Sequence, residues 1–254
     1  MIFAIDAGNT NIVIGCCKGD EILFRERVST NHTATGLEYA AIFKTAFEMH
    51  GVSLSEITGS IISSVVPAVT RNLKLAAEML TGTQAMVVGP GIKTGLSIKI
   101  DNPAQLGSDL VVDAVAGIKN YSVPLIIIDM GTATTVSVID GNGDYLGGMI
   151  IPGVSVSHDS LVNRTSQLRK VALEPPRKLI GTETAECLKS GMIYGSAGSL
   201  DGIIDRVQEE IGECTVVATG GLAGIIIPYC RNKILLDDDL LLKGLKIIYE
   251  KNKK

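Results

Sequence analysis

A surplus of positive charge is the first thing this chain lacks. Its 23 Lys and Arg are scattered and are outnumbered by 27 Asp and Glu, for a net charge of −4. A polyanion partner such as nucleic acid is therefore not expected. The five cysteines (Cys16, Cys17, Cys187, Cys214, Cys230) are odd in number and contain no CxxC pair. Cys16 and Cys17 are neighbours on an expected strand, so their side chains point to opposite faces and cannot readily bridge. Reduced, buried thiols are the expectation. The three histidines (His32, His50, His158) lie far apart with no acidic or Cys partner at ligand spacing, which argues against zinc. No uncharged apolar run approaches the roughly 18 residues that cross a bilayer. The opening Met1-Ile2-Phe3-Ala4-Ile5-Asp6 has no basic start and meets an acid at once. It reads as a core strand rather than a signal peptide, so a soluble, cytoplasmic protein is expected, with no membrane partner.

What is present is an apolar-rich chain of 254 residues, 46% hydrophobic, enough for one large domain or two small ones. Sliding the sequence against itself favours two. Residues 2–23 (IFAIDAGNTNIVIGCCKGDEIL) align with residues 125–146 (LIIIDMGTATTVSVIDGNGDYL) at a constant offset of 123. The offset pairs Ile5 with Ile128, Asp6 with Asp129, Gly8 with Gly131, Val13 with Val136 and Leu23 with Leu146. Each copy is an apolar strand ending in Asp-x-Gly, then a polar turn of Asn and Thr, a second β-rich run, another turn and a third strand. Three antiparallel strands opening each half is the economical interpretation. Helical spacing follows over Leu37 to Met49 and from Val69 to Leu80, the latter just after Pro67, with a buried strand between them at Ile57 to Val66. Met86 to Val88 reads as a short strand and Gln105 to Lys119 as a helix. Farther on, helices are expected at Ser157 to Val162, Thr184 to Glu210 and Leu240 to Glu250, and one beginning at Gly221 after a strand at Thr215 to Ala218. The pattern predicts a duplicated α/β architecture with domains at residues 1–116 and 117–254.

The paired turns carry the chemistry. An Asp ending a buried apolar strand is costly unless a cation or hydrogen-bond donors meet it. The Gly after it lets the backbone turn sharply and approach a ligand. N–H groups in such a turn suit phosphate oxygens, and the carboxylate suits Mg²⁺, directly or through water. One such Asp is as well explained as a cap on its own turn. Two at one offset, each followed by Asn or Thr, favour a nucleoside triphosphate held between two domains. Val216-Val217-Ala218-Thr219-Gly220-Gly221 adds a strand, a Gly pair and a helix start, a joint able to lie against adenosine. Gly89-Pro90-Gly91-Ile92-Lys93-Thr94 is not a P-loop, since Ile92 stands where Gly is required. Ser63-Ser64 and Ser155 fit no nucleophile elbow.

These elements, in this order, resemble the superfamily of actin, sugar kinases and heat-shock chaperone ATPases. More closely, the chain resembles type III pantothenate kinases. The similarity runs through Asp6-Ala7-Gly8-Asn9-Thr10-Asn11, Ser63-Ser64-Val65-Val66-Pro67, Asp101-Asn102-Pro103, Gly107-Ser108-Asp109 and Asp129-Met130-Gly131-Thr132-Ala133-Thr134-Thr135. It continues through Gly147 to Gly153, Ile180 to Thr184, Ser190-Gly191 and Ala218-Thr219-Gly220-Gly221. The resemblance implies duplicated actin-like (ribonuclease H-like) domains, each a mixed sheet flanked by helices, with the active site in the interdomain cleft. It implies transfer of the γ-phosphoryl of ATP to the primary hydroxyl of pantothenate. Asp6, Ala7, Gly8, Asn9, Thr10, Asn11, Ile12 and Val13 would wrap the phosphates, with Asp6 near Mg²⁺. Thr132, Gly220 and Gly221 would also contact the nucleotide.

On the same resemblance, Asp109 would accept the proton of the attacking hydroxyl, and Ile100, Gly107, Ser108 and Leu110 would lie on the acceptor side. Asp129 would hold a monovalent cation, K⁺ or NH₄⁺. Thr184 would reach pantothenate from the neighbouring subunit of a homodimer with composite active sites. The family usually carries Arg where this chain has Leu110, and Tyr where it has Ile100. Loss of a charge-assisted contact to the substrate carboxylate is worth about 1.5–3 kcal/mol. Two alternatives therefore stand beside the kinase: a diverged paralogue with another small hydroxylated acceptor or no catalysis, and a nucleotide-dependent interaction protein.

Overall fold

A computed structural model describes residues 1–253. In chain order the regular elements of the first half are β1 (Ile2–Ala7), β2 (Asn11–Lys18), β3 (Glu21–Ser29), α1 (Gly36–Met49), β4 (Gly59–Ser64), α2 (Pro67–Thr81), β5 (Ala85–Val87), β6 (Ser97–Ile98) and α3 (Ser108–Asn120). The second half adds β7 (Leu125–Met130), β8 (Ala133–Ile139), β9 (Asp144–Pro152), α4 (Val154–Asn163), α5 (Thr184–Ile211), β10 (Thr215–Thr219), α6 (Ala223–Ile226), β11 (Leu235–Leu236) and α7 (Leu240–Asn252).

The chain forms two compact units, and neither is one continuous stretch. The first contains residues 1–96, 101–119 and 239–254, the second residues 97–100 and 120–238. A single cut at 116/117 leaves the C-terminal helix α7 with the wrong partner. Leu242, Leu245 and Ile248 of α7 share a core cluster with Ile2 and Ala4 of β1 and Val112 and Val115 of α3. Nothing in the local pattern of α7 says which apolar surface it will cover.

Sheet order confirms the duplication. The first unit runs β3-β2-β1-β4-β5 and the second β9-β8-β7-β10-β11, with β6 added beyond β9. In each, three antiparallel strands are followed by two parallel ones. The period-2 alternation of β1 sends Phe3, Ile5 and Ala7 to a cluster with α1 and α2, and Ile2 and Ala4 to the α3 and α7 face. Both faces of that strand are thus buried, which explains its uninterrupted apolar run. In β7, Ile126, Ile128 and Met130 pack with Ile193, Leu200 and Ile204 of α5.

The ungapped offset of 123 holds for β1 and β7 but slips by one residue past the turn. Asp6 lies opposite Val13, whereas Asp129 lies opposite Thr135. Val136 is therefore the counterpart of Ile14, not of Val13. The second hairpin turn is one residue shorter, a difference that matching apolar residues conceals.

Candidate active site

In the first unit Asp6 is the penultimate residue of β1, half-buried beside the fully buried Ser63 of β4, its register partner. The following turn is closed by the Gly8 N–H donating to the Asn11 carbonyl at 3.0 Å. Thr30, just past β3, donates its hydroxyl to the Gly8 carbonyl at 2.7 Å and its N–H to the Thr10 carbonyl at 3.0 Å. Two turn carbonyls are thereby occupied, and Asn9 and Thr10 remain exposed at the tip. Ile12 is buried, and Asn11 and Val13 are half-buried on β2.

Asp109 enters the same region from α3. The helix begins at Ser108 rather than near Gln105, because Pro103–Gln105 forms a 3₁₀ turn and Leu106 is extended (φ −69°, ψ 125°). Asn102 stabilises that turn by accepting the Ala104 N–H at 3.3 Å. Asp109 is therefore the second residue of the helix, not a turn inside it. Its carboxylate accepts the Leu110 N–H at 2.8 Å, satisfying one of the helix's open donors. Burial pushes its pKa up from the ordinary 3.8, and the backbone N–H partly offsets that. The side chain leans back over Gly107, where a Cβ would collide with the carboxylate and lie 3.7 Å from Val65. The Ser108 hydroxyl pairs with that of Ser63 at 3.0 Å and accepts the Ser64 N–H at 3.2 Å.

In the second unit the same frame recurs. Asp129 is penultimate in β7, half-buried, with Thr219 of β10 as its register partner. The Gly131 N–H donates to the Ala133 carbonyl at 3.0 Å. Ala7 and Met130 occupy equivalent places: their carbonyls accept the N–H of Val65 (3.1 Å) and Leu222 (3.3 Å), each just past the neighbouring parallel strand. Two glycines crowd the second turn. Gly220 has φ +91°, and a Cβ there would lie 2.6 Å from the Met130 nitrogen and closer still to the Asp129 carboxylate. A Cβ on Gly153 would lie 2.6 Å from the Gly131 carbonyl oxygen, and the Gly153 N–H donates to the Thr132 carbonyl at 3.1 Å. Thr132 and Gly221 stay exposed beside these contacts.

Asp6, Gly107, Ser108, Asp109 and Leu110 thus converge in the first unit, and Asp129, Thr132, Gly220 and Gly221 in the second. Ile100, half-buried near Gly147, belongs to the second unit, and Leu110 to the first. Thr184 is the exposed first residue of α5. The helix start around it is held by ion pairs from Arg177 to Glu183 and Glu186, and from Lys189 to Glu174 at 2.6 Å and to Glu186 at 3.3 Å. Ser63 and Gly153 lie in motifs that carry the resemblance, which gives neither a role in the site. Ser63 pairs with Ser108 across 45 positions, and Gly153 reaches a turn some twenty residues upstream, so neither relation has a local signature.

Among the described residues no three His, Cys, Asp or Glu side chains gather into a metal cluster. A single strand-end carboxylate beside an exposed polar turn fits a hard divalent cation carried in with phosphate oxygens, since Mg²⁺ commonly takes only one or two protein carboxylates. Among the described residues no helix is long and apolar enough to cross a membrane.

Known proteins align with this geometry. The family model described as type III pantothenate kinase matches residues 2–206. A type III pantothenate kinase of Exiguobacterium sp. AT1b is 44% identical over 254 residues, with full coverage of both chains. That of Moorella thermoacetica is 43% identical, covering 99% of this chain and 100% of the relative. Among solved structures, component A of Acidaminococcus fermentans (R)-2-hydroxyglutaryl-CoA dehydratase superposes with a TM-score of 0.55 at 16% identity, covering 99% of both chains. The ROK hexokinase of Thermus thermophilus gives 0.52 at 14% identity, covering 98% of both. These two share the fold, which is the actin-like α/β fold expected of the duplicated sequence. With its paired Asp-x-Gly turns, Asp109 at a helix start and relatives matched end to end, the chain belongs to the type III pantothenate kinase family.

Proposed function

We propose that this chain transfers the γ-phosphoryl group of ATP to the primary hydroxyl of pantothenate, the first step toward coenzyme A, with Asp109 as the group that accepts the hydroxyl proton. The observation that carries the assignment is the half-buried Asp109 carboxylate at the open N-terminus of α3, joined through Ser108 to the strand beside Asp6. Phosphoryl transfer asks little covalent chemistry of a protein and much positioning and charge neutralisation. Burial raises the proton affinity of Asp109, while the helix N-terminus keeps its ionised form accessible, a balance that suits a proton acceptor. As the substrate oxygen bonds to the γ-phosphorus, its proton passes to Asp109 and the bond to the β-phosphate oxygen breaks, releasing ADP.

The residues from Asp6 to Val13 would hold the phosphates, and Asp6 would hold Mg²⁺, directly or through water. The divalent ion, when bound, neutralises charge on the β- and γ-phosphates. Thr132, Gly220 and Gly221 lie on the nucleotide side in the second unit, and Asp129 holds K⁺ or NH₄⁺. The Gly153 and Gly220 contacts support that role, since a turn packed this tightly keeps its carboxylate and carbonyls at fixed spacing. Gly107, Ser108, Leu110 and Ile100 border the acceptor. A homodimer in which Thr184 serves the neighbouring subunit's site is supported by the exposed apolar residues of the second unit. Ile150, Val156, Leu161, Leu179 and Ile180 are each at least 44% exposed, apolar surface that a second copy would cover. The reaction takes place in the cytoplasm.

A second reading rests on one observation: Leu110, half-buried next to Asp109, offers no charge to a substrate carboxylate. An acceptor with a neutral tail would then be preferred over pantothenate. The test supplies purified full-length chain with ATP, Mg²⁺ and K⁺ or NH₄⁺, and follows phosphopantothenate by mass spectrometry beside an Asp109→Asn variant. Product that disappears in the variant is expected. ATP binding without product moves the assignment to the second reading.

A further inference from the structure

The buried, penultimate serine of β4 has no role in the assignments above. Ser63 is fully buried and lies alongside Asp6 in the parallel register of β1 and β4. It shares its sheet face with Ile61, which packs with Val112 and Val115 of α3. Its hydroxyl is 3.0 Å from that of Ser108, the first residue of α3, and the next N–H of the strand, that of Ser64, donates to the same Ser108 oxygen at 3.2 Å. A strand end and a helix start 44 and 45 positions apart are thus pinned together by two hydrogen bonds on a single oxygen. The residue that follows on the helix is Asp109.

We propose that Ser63 is a positioning residue: through Ser108 it fixes the first turn of α3, and with it the Asp109 carboxylate, against the strand edge that carries Asp6. Helix starts are the loosest part of a helix, because their first N–H groups have no partner within it. Ser108 is held from outside the helix, by β4. An untethered first turn would let the carboxylate wander relative to the phosphate-binding turn, and misplacement by an ångström can cost a reaction of this kind up to about a hundredfold. The second unit places a buried hydroxyl in the same register, Thr219 beside Asp129, so the hydroxyl beside the strand-end aspartate belongs to the duplicated frame.

The inference rests on Asp109 being the base, and its test separates the two. Full-length Ser63→Ala, Ser108→Ala and the double variant are compared with wild type for kcat, Mg-ATP affinity, thermal midpoint and amide hydrogen exchange. Ser63→Ala is expected to lower kcat about tenfold with Mg-ATP affinity and thermal midpoint preserved, and the double variant to be no worse than Ser108→Ala, because Ser63 acts through the Ser108 hydroxyl. Exchange at residues 108–112 should quicken by about tenfold in Ser63→Ala while the rest of the chain keeps its protection. A kcat within twofold of wild type, unchanged exchange at the start of α3, or an activity loss explained by a lowered thermal midpoint overturns the proposal. A wild-type chain that leaves pantothenate untouched counts against the substrate assignment, and the exchange measurement, which needs no turnover, then decides this one.

Discussion

The two Asp-x-Gly turns descend from one pattern and sit in matching places, yet they are built differently. The turn after Asp6 ends in an exposed tip and is tied at its base by Thr30 and by its own Gly8–Asn11 bond. A Cβ on Gly8 would have a single neighbour inside 4 Å, the Asn11 carbonyl oxygen at 3.2 Å. The turn after Asp129 is one residue shorter and is pressed from two sides by the backbone at Gly153 and Gly220. An open turn can fold its N–H groups around phosphate oxygens, which differ in position from ground state to transition state. A clamped turn presents oxygens at fixed spacing, which is what discrimination between ions needs. Duplication supplied the frame, and the packing around each turn made the two differ.

The largest effect that would test this contrast falls on the catalytic side of the first unit. Asp109→Asn should lower kcat by 10²- to 10⁴-fold, the usual weight of a general base, with Mg-ATP affinity retained. A fall of less than tenfold would remove Asp109 from the reaction. Next, Gly220→Ala should destabilise the chain by roughly 3 kcal/mol, from a positive φ and a Cβ driven into backbone. Gly8→Ala should cost under about 1 kcal/mol, since only one carbonyl must give way. Urea unfolding of both variants measures the gap, and equal costs would erase the distinction between open and clamped turns.

The ions provide the third test. Asp6→Asn should raise the Mg²⁺ concentration for half-maximal rate by about tenfold and leave activation by K⁺ alone, while Asp129→Asn should do the reverse, the usual weight of a charge-assisted contact being about 1.5–3 kcal/mol. Titrating each ion at saturation of the other gives the answer, and one shared phenotype would mean the turns never separated.

The smallest effect is one of stability and pH. Burial raises the pKa of Asp109 above its unfolded value, so the folded chain holds that proton more tightly than the unfolded one. The stabilisation is complete below the ordinary value of 3.8 and is lost as pH rises through the raised folded value. Asp109→Asn carries no such loss. Its thermal midpoint should exceed that of wild type at pH 7, and the difference should close below pH of about 4. A wild type more stable than the variant at pH 7 would show that the Leu110 N–H and the helix N-terminus outweigh burial.

Local chemistry made much of this legible without coordinates. Apolar strands ended by Asp-x-Gly were readable because a charge after a buried run is costly anywhere, and α1, α2, α5 and α7 were readable from their 3.6-residue spacing. The failures share one cause. The two-residue edge strands β6 and β11 are too short for any period to show. The helix expected from Gln105 begins at Ser108, because a 3₁₀ turn after Pro103 has helix-like spacing without being continuous with α3. The helix expected from Ser157 begins at Val154, where Gly153 is held by the Thr132 carbonyl of a distant turn. In each case a contact outside the segment set its boundary.

By itself, then, the sequence determined two α/β repeats, an Asp-x-Gly turn in each, a candidate base and the family, because all of these are written in neighbouring residues and their periods. Tertiary structure alone decided which unit owns the last helix, how the two turns came to differ, and which buried serine holds the helix of Asp109. Those relations depend on register and on close approach between segments far apart in the chain. The energies that fix them, single hydrogen bonds and glycine contacts, leave no mark on the pattern of apolar and polar residues along it.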